Sequence, residues 1–119
     1  MGWRPRGEGP KRVYFIKPVG MAGPIKIGCS CSPSNRTRSL ETWSPFALEV
    51  MAEIEGDVLL ERQFHAMFLH LHERREWFRP GADLLDVIAQ INAGTFSVEV
   101  LPDPLRVDRR HLRPESAAA

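Results

Sequence analysis

The chain predicts an α+β domain, on three observations. Two short apolar runs, Val13-Tyr14-Phe15-Ile16 and Ile25-Lys26-Ile27-Gly28, stand either side of a segment rich in glycine and proline. A third run, Phe46 to Ile54, repeats its apolar residues at period two. Between and beyond these lie segments whose apolar residues recur at helical spacing instead.

Taken in order, residues 12–17 alternate as a strand, with Tyr14 and Ile16 on one face and Val13 and Phe15 on the other. Pro18 to Pro24, with Gly20 and Gly23, is a loop rather than a two-residue turn, so residues 25–29 return as the antiparallel partner. Ser32-Pro33 reads as an N-cap followed by proline at the first helical position, opening a helix that ends near Trp43-Ser44-Pro45. Phe46, Leu48, Val50, Ala52 and Ile54 form the third strand. Asp57 caps a helix predicted over 58–72, whose stripe is Leu60, Phe64, Met67, Phe68 and Leu71. A third helix over 83–92 turns Leu84, Val87, Ile88 and Ile91 inward and ends at Gly94. Thr95 to Leu101 is expected as a last strand.

At 119 residues, 43% hydrophobic and 26% charged, the chain has material for one core. The organisation expected is a domain over 12–101 between basic flexible arms at 1–11 and 102–119. No run reaches the roughly 20 apolar residues that span a bilayer. The start, Met-Gly-Trp-Arg-Pro-Arg, lacks the apolar stretch of a secretory signal, so the expected address is the cytoplasm. Cys29 and Cys31 are too close in sequence for an unstrained bridge, and with no second cysteine pair they do not make a zinc site. His65 and His70 are five apart and His70 and His72 two apart, so neither pair shares a helical face well, and the three are not read as a zinc cluster.

The formal charge of +1 is unevenly spread. Arg4, Arg6, Lys11 and Arg12 against Glu8 give the first twelve residues +3; Arg106, Arg109, Arg110 and Arg113 against Asp108 and Glu115 give the last fourteen +2. The segment between carries −4. Basic arms on an acidic body suit a polyanionic partner gripped without regard to sequence.

The two leading strands and the helix after them bring a phenol (Tyr14), an ammonium (Lys26), a glycine (Gly28) and a guanidinium (Arg36) into one region. Such groups can hold and attack a phosphodiester, and Glu61 completes the outline of a metal-dependent nuclease site. The order Val13-Tyr14, Lys26-Ile27-Gly28, Arg36 with Leu40, Ser44-Pro45, Glu61 with His65, then Glu76-Trp77-Phe78 resembles the GIY-YIG endonuclease superfamily. Within it, the pattern is similar to the phage and bacterial branch, related to a meiotically up-regulated yeast protein family, in which a KIG stands for YIG.

That resemblance implies a small three-stranded antiparallel sheet flanked by helices, and cleavage of DNA, with RNA not excluded, using one Mg²⁺ or Mn²⁺. Tyr14, Lys26, Arg36 and His65 are implied as catalytic and Glu61 as the metal ligand. Lys26, Arg36 and Arg38 are implied as nucleic-acid contacts, and Gly28, Glu76, Trp77 and Phe78 as the structural motif. A phenol with an ordinary pKa of about 10 needs a nearby cation to act as a base at neutral pH. A guanidinium fork matches two phosphoryl oxygens. His65 is open between orienting Glu61, touching DNA, binding the leaving group and simply filling a half-buried helix position. Glu76 reads as an acid behind the metal, Trp43 as a packing residue and Trp3 as part of the arm.

The function expected is hydrolysis of phosphodiester bonds in DNA. The alternatives are a GIY-YIG fold without chemistry that binds nucleic acid, and a protein-interaction module. The first alternative draws on the superfamily's asparagine after Glu61, for which only Asn92 is available. A domain this small covers few base pairs, which leaves room for a homodimer or a recruiting protein partner.

Overall fold

The computed structural model describes residues 10–42 and 44–104. The arms expected at 1–11 and 102–119, apart from residues 10, 11 and 102–104, lie outside the described residues, as do Trp3 and Trp43. Strand β1 is Arg12–Pro18 and β2 is Ile25–Ser30, followed by helix α1, Pro33–Glu41, and β3, Leu48–Glu55. Helix α2, Val58–Met67, leads through a 3₁₀ turn, Leu69–Leu71, into β4, His72–Arg74, and β5, Trp77–Phe78. Helix α3, Ala82–Ala93, and a 3₁₀ turn, Val98–Val100, complete the elements of the described residues.

The chain is α+β, but its sheet has five strands rather than three, in the order β3-β1-β2-β5-β4, each pair antiparallel. The three expected strands are its β3-β1-β2 half. The other two contain three and two residues, too few to display an alternation. Their hairpin is held to β2 by the pairs Ile25–Phe78 and Lys26–Trp77 and by the Ile27 N–H on the Glu76 carbonyl at 3.0 Å.

β1 is buried on both faces: Val13, Phe15 and Ile16 are wholly covered and Tyr14 is 1% exposed. Val13 and Phe15, with Ile25 and Ile27 of β2, face a core built by Leu60 and Phe64 of α2, Phe68 just past its end, and Leu84, Val87 and Ile88 of α3. Phe15 and Phe64 meet edge to face at 5.2 Å. Directly opposed residues of an antiparallel pair share a face. Tyr14 with Gly28, and Ile16 with Lys26, therefore occupy the other side of the sheet.

Local chemistry explains the ends of the elements. Pro33 opens α1, as its fixed φ favours, although the Ser32 side chain makes no capping bond. The Asp57 carboxylate accepts from the Leu59 N–H at 3.0 Å and starts α2. Gly94, at φ 76°, closes α3 in the left-handed conformation. Three expectations differ. α2 stops at Met67 instead of continuing to 72, with no glycine or proline to mark the change. β3 begins at Leu48, and Phe46 is left 52% exposed in a turn pinned by the Ser44 hydroxyl. The expected last strand is a 3₁₀ turn whose Val98 and Val100 face outward, while Leu101 tucks into the core. No helix among the described residues is long and apolar enough to cross a membrane.

Candidate functional site

Among the described residues four polar or charged side chains are buried: Lys26 (6% exposed), Thr37, Glu61 and His65 (8% each). Thr37 is accounted for locally, its hydroxyl donating to the Pro33 carbonyl at 2.8 Å within α1. The other three belong to one cluster, completed by Tyr14, Arg36 and Glu76.

Gly28 sets the position of Tyr14. A Cβ built at Gly28 would stand 2.6 Å from the Tyr14 hydroxyl oxygen and 2.7 Å from Cζ. The ring thus lies flat across its cross-strand partner, and only glycine leaves room for it. Its hydroxyl accepts a hydrogen bond from the Arg36 guanidinium, which α1 carries above the sheet with its side chain exposed. Burial raises the Tyr14 pKa above the ordinary tyrosine value; Arg36, through that hydrogen bond and its charge, offsets part of the rise. The phenol is protonated at neutral pH.

Lys26, on the same face as Tyr14, pairs its ammonium with the Glu76 carboxylate, 50 residues away in sequence. Glu76 stands in the two-residue turn between Arg74 and Trp77. Burial pushes its carboxyl upward, but the charge and hydrogen bond of Lys26, with a hydrogen bond from Glu61, outweigh that and hold it below the usual carboxylate range. Glu61 and Glu76 thus stand side by side in the cluster. A pair of oxygen donors brought this close suits a hard cation such as Mg²⁺ or Mn²⁺. Among the described residues no group of three or more His, Cys, Asp and Glu side chains is placed to hold a metal ion. Glu61 and Glu76 could offer such an ion one or two carboxylates, a number Mg²⁺ accepts when substrate phosphate and water supply the rest.

His65 lies one turn after Glu61 on α2, its Nε2 3.9 Å from Glu61 Oε2. That nitrogen is 3.0 Å from the Ile27 carbonyl, which only accepts, so Nε2 bears the proton and donates it. The ring packs on Phe78 at 5.1 Å. Burial lowers its pKa, against the upward pull of the Ile27 bond and Glu76, so the imidazole is neutral. Its visible contacts bind α2 to β2 and hold Glu61 in register.

The structure thus brings together Tyr14, Lys26, Gly28, Arg36, Glu61, His65 and Glu76. Arg38 is exposed at the end of α1 and joins none of these contacts. Trp77 and Phe78 act as β5, with Phe78 1% exposed in the core. Asn92 is committed to the Met51 carbonyl at 2.9 Å. Two features escape a reading of the sequence. Glu76, read as an acid behind the metal, pairs directly with the Lys26 ammonium. His72, rather than ending a helix, sits in β4 with its Nε2 2.7 Å from the Arg75 carbonyl. The one sequence signal for the hairpin is the charged stretch 73–76 ahead of Trp77-Phe78.

No curated protein and no solved structure matches the chain. A family model described as the T5orf172 domain matches residues 11–92, from the start of β1 to the last turn of α3, and so spans every residue of the cluster. The chain belongs to the T5orf172 domain family.

Proposed function

We propose that this chain is a GIY-YIG-type endonuclease that hydrolyses phosphodiester bonds in DNA with a divalent metal. One observation carries the reading: three of the four buried polar side chains among those described converge beside Tyr14 and Arg36. Burying ionisable groups is costly, and their concentration at one point is what a reacting site requires.

The exposed Arg36 fork binds the phosphate and stabilises the charge that gathers on its oxygens. Tyr14 Oη is placed to orient the attacking water, and the Arg36 N–H on the same oxygen offsets part of the rise that burial imposes on its pKa. Lys26 spends one of its three donors on Glu76 and keeps the others for phosphate. Glu61, with Glu76 beside it, would hold Mg²⁺ or Mn²⁺, whose contribution is Lewis-acid polarisation of the phosphate. His65 keeps Glu61 aimed at the cluster. The domain over 12–101 would use its basic arms for sequence-independent phosphate contacts.

A second reading, a DNA-binding module without chemistry, is favoured by the protonated state of Tyr14. Incubation of supercoiled plasmid with and without Mg²⁺ separates the two. Metal-dependent nicking that Glu61→Ala abolishes is the expected result. No nicking, or nicking that survives Glu61→Ala, sinks the enzymatic reading.

A further inference from the structure

The turn between β4 and β5 contains only Arg75 and Glu76, since Arg74 and Trp77 are already paired across it. Two-residue hairpin loops ask for positive φ, normally met by glycine, asparagine or aspartate. Here the position is filled by Arg75 at φ 54°, the one non-glycine residue with positive φ among those described. His72 Nε2 holds the Arg75 carbonyl at 2.7 Å and so fixes this backbone in place.

The side chain gains nothing from the protein in return. Arg74 and Arg75 are both exposed, and neither makes a side-chain hydrogen bond or ion pair among the described residues. Their neighbour Arg79 differs, donating to the His70 carbonyl at 2.7 Å and pairing with Glu73 at 3.7 Å. Adjacent Cα atoms are about 3.8 Å apart, so Arg75 is one residue step from Glu76, whose carboxylate is in the cluster. The hairpin therefore carries one carboxylate into the site and two exposed arginines on the residues immediately before it.

We infer that the β4–β5 turn is a DNA-backbone clamp, in which Arg74 and Arg75 grip phosphates flanking the one held by Arg36. This rests on the nuclease reading for its substrate. The turn's stiffness serves the role, because a fixed backbone lets both guanidinium groups meet phosphates with little ordering on binding. As positioning residues they set where the duplex lies relative to Tyr14 and Glu61.

The test measures binding of the full chain to a fluorescent duplex DNA of about 20 base pairs, in EDTA, across a salt series. Arg74→Gln and Arg75→Asn remove each charge, and asparagine tolerates the left-handed backbone. Each variant is expected to lower the slope of log K against log salt by about 0.9, and the affinity at 0.1 M salt by roughly eight-fold. Arg75→Lys should retain most of the slope, Arg79→Gln should leave it unchanged, and the urea midpoint should hold in all four. Unchanged slopes in both Arg74→Gln and Arg75→Asn, or an equal drop in Arg79→Gln, overturn the clamp. A wild-type chain that binds duplex DNA yet cuts nothing in Mg²⁺ refutes the enzymatic reading while the clamp stands. A wild-type chain that does not bind refutes both.

Discussion

Gly28→Ala is the sharpest single perturbation of this site, because fold and chemistry meet there. The added methyl would lie 2.6 Å from the Tyr14 hydroxyl oxygen and 2.7 Å from Cζ, well inside any van der Waals contact. Tyr14 is 1% exposed and its hydroxyl is held by Arg36, so the ring has nowhere to retreat without breaking that bond. Overpacking of this kind costs about 1–3 kcal/mol. An opposing effect is present: Gly28 has no positive φ, and alanine at such a position gains about 0.4–1 kcal/mol by restricting the unfolded chain. The clash wins, leaving a net loss of about 1–2 kcal/mol. With a urea slope of about 1.5 kcal/mol/M for a domain of this size, the midpoint should fall by roughly 1 M. Cleavage should fall further than stability explains, since the displaced phenol no longer meets Arg36. Tyr14→Leu should suppress the stability cost of Gly28→Ala, a coupling that a double-mutant cycle measures. An alanine variant with the wild-type midpoint and undiminished nicking would refute the account of Gly28 and, with it, the position assigned to Tyr14.

Two further outcomes follow from the charged groups. His65 and Glu76 both have pKa values held below their ordinary ones, so below those ordinary values the unfolded chain binds more protons and stability falls as pH falls. Loss should come in two stages, the first below about pH 6.5 from His65 and the second below about pH 4.3 from Glu76. His65→Gln should remove the first stage in urea titrations at several pH values, and a variant that keeps it would show that another group is responsible. Lys26→Met leaves the Glu76 carboxylate in a partly buried place without its countercharge and should cost about 1–3 kcal/mol, while Lys26→Met with Glu76→Gln should recover much of that. Equal midpoints for the single and double variants would refute the pairing.

The legible parts of the fold were those encoded over a few consecutive residues. Asp57 and Gly94 act at the helix ends where they were read, and Val13 to Ile16 and Ile25 to Ile27 show their strands by residue type alone. The illegible parts depend on contacts remote in sequence. Nothing in residues 68–74 ends a helix, yet the chain turns at Phe68 so that Phe68 and Leu71 enter the core and His72 can start a strand. The alternation of Phe96, Val98 and Val100 looks like a strand, but among the described residues no neighbouring edge takes it up, and both valines face outward. Within the site, the residue types were visible and their pairings were not. Lys26 was read as a catalytic residue and nucleic-acid contact, and its pairing with Glu76 was not read, because a hairpin too short to leave a pattern brings Glu76 there.

That hairpin also explains how a lysine can stand beside Tyr14 without simply adding positive charge. β5 has only two residues, far below what an isolated strand needs to persist. Phe78 anchors it in the core, and Lys26–Glu76 holds its other end. Substrate phosphate arriving at Lys26 would compete with Glu76 for the same ammonium. On the nuclease proposal, loosening of that pair would leave Glu76 to its contact with Glu61 and to the metal the two carboxylates would hold. The ammonium and carboxylates that neutralise each other here would, on the same proposal, separate toward phosphate and metal when both bind. A tyrosine at position 26 could not make that exchange, because a neutral phenol has no charge with which to hold Glu76 in reserve.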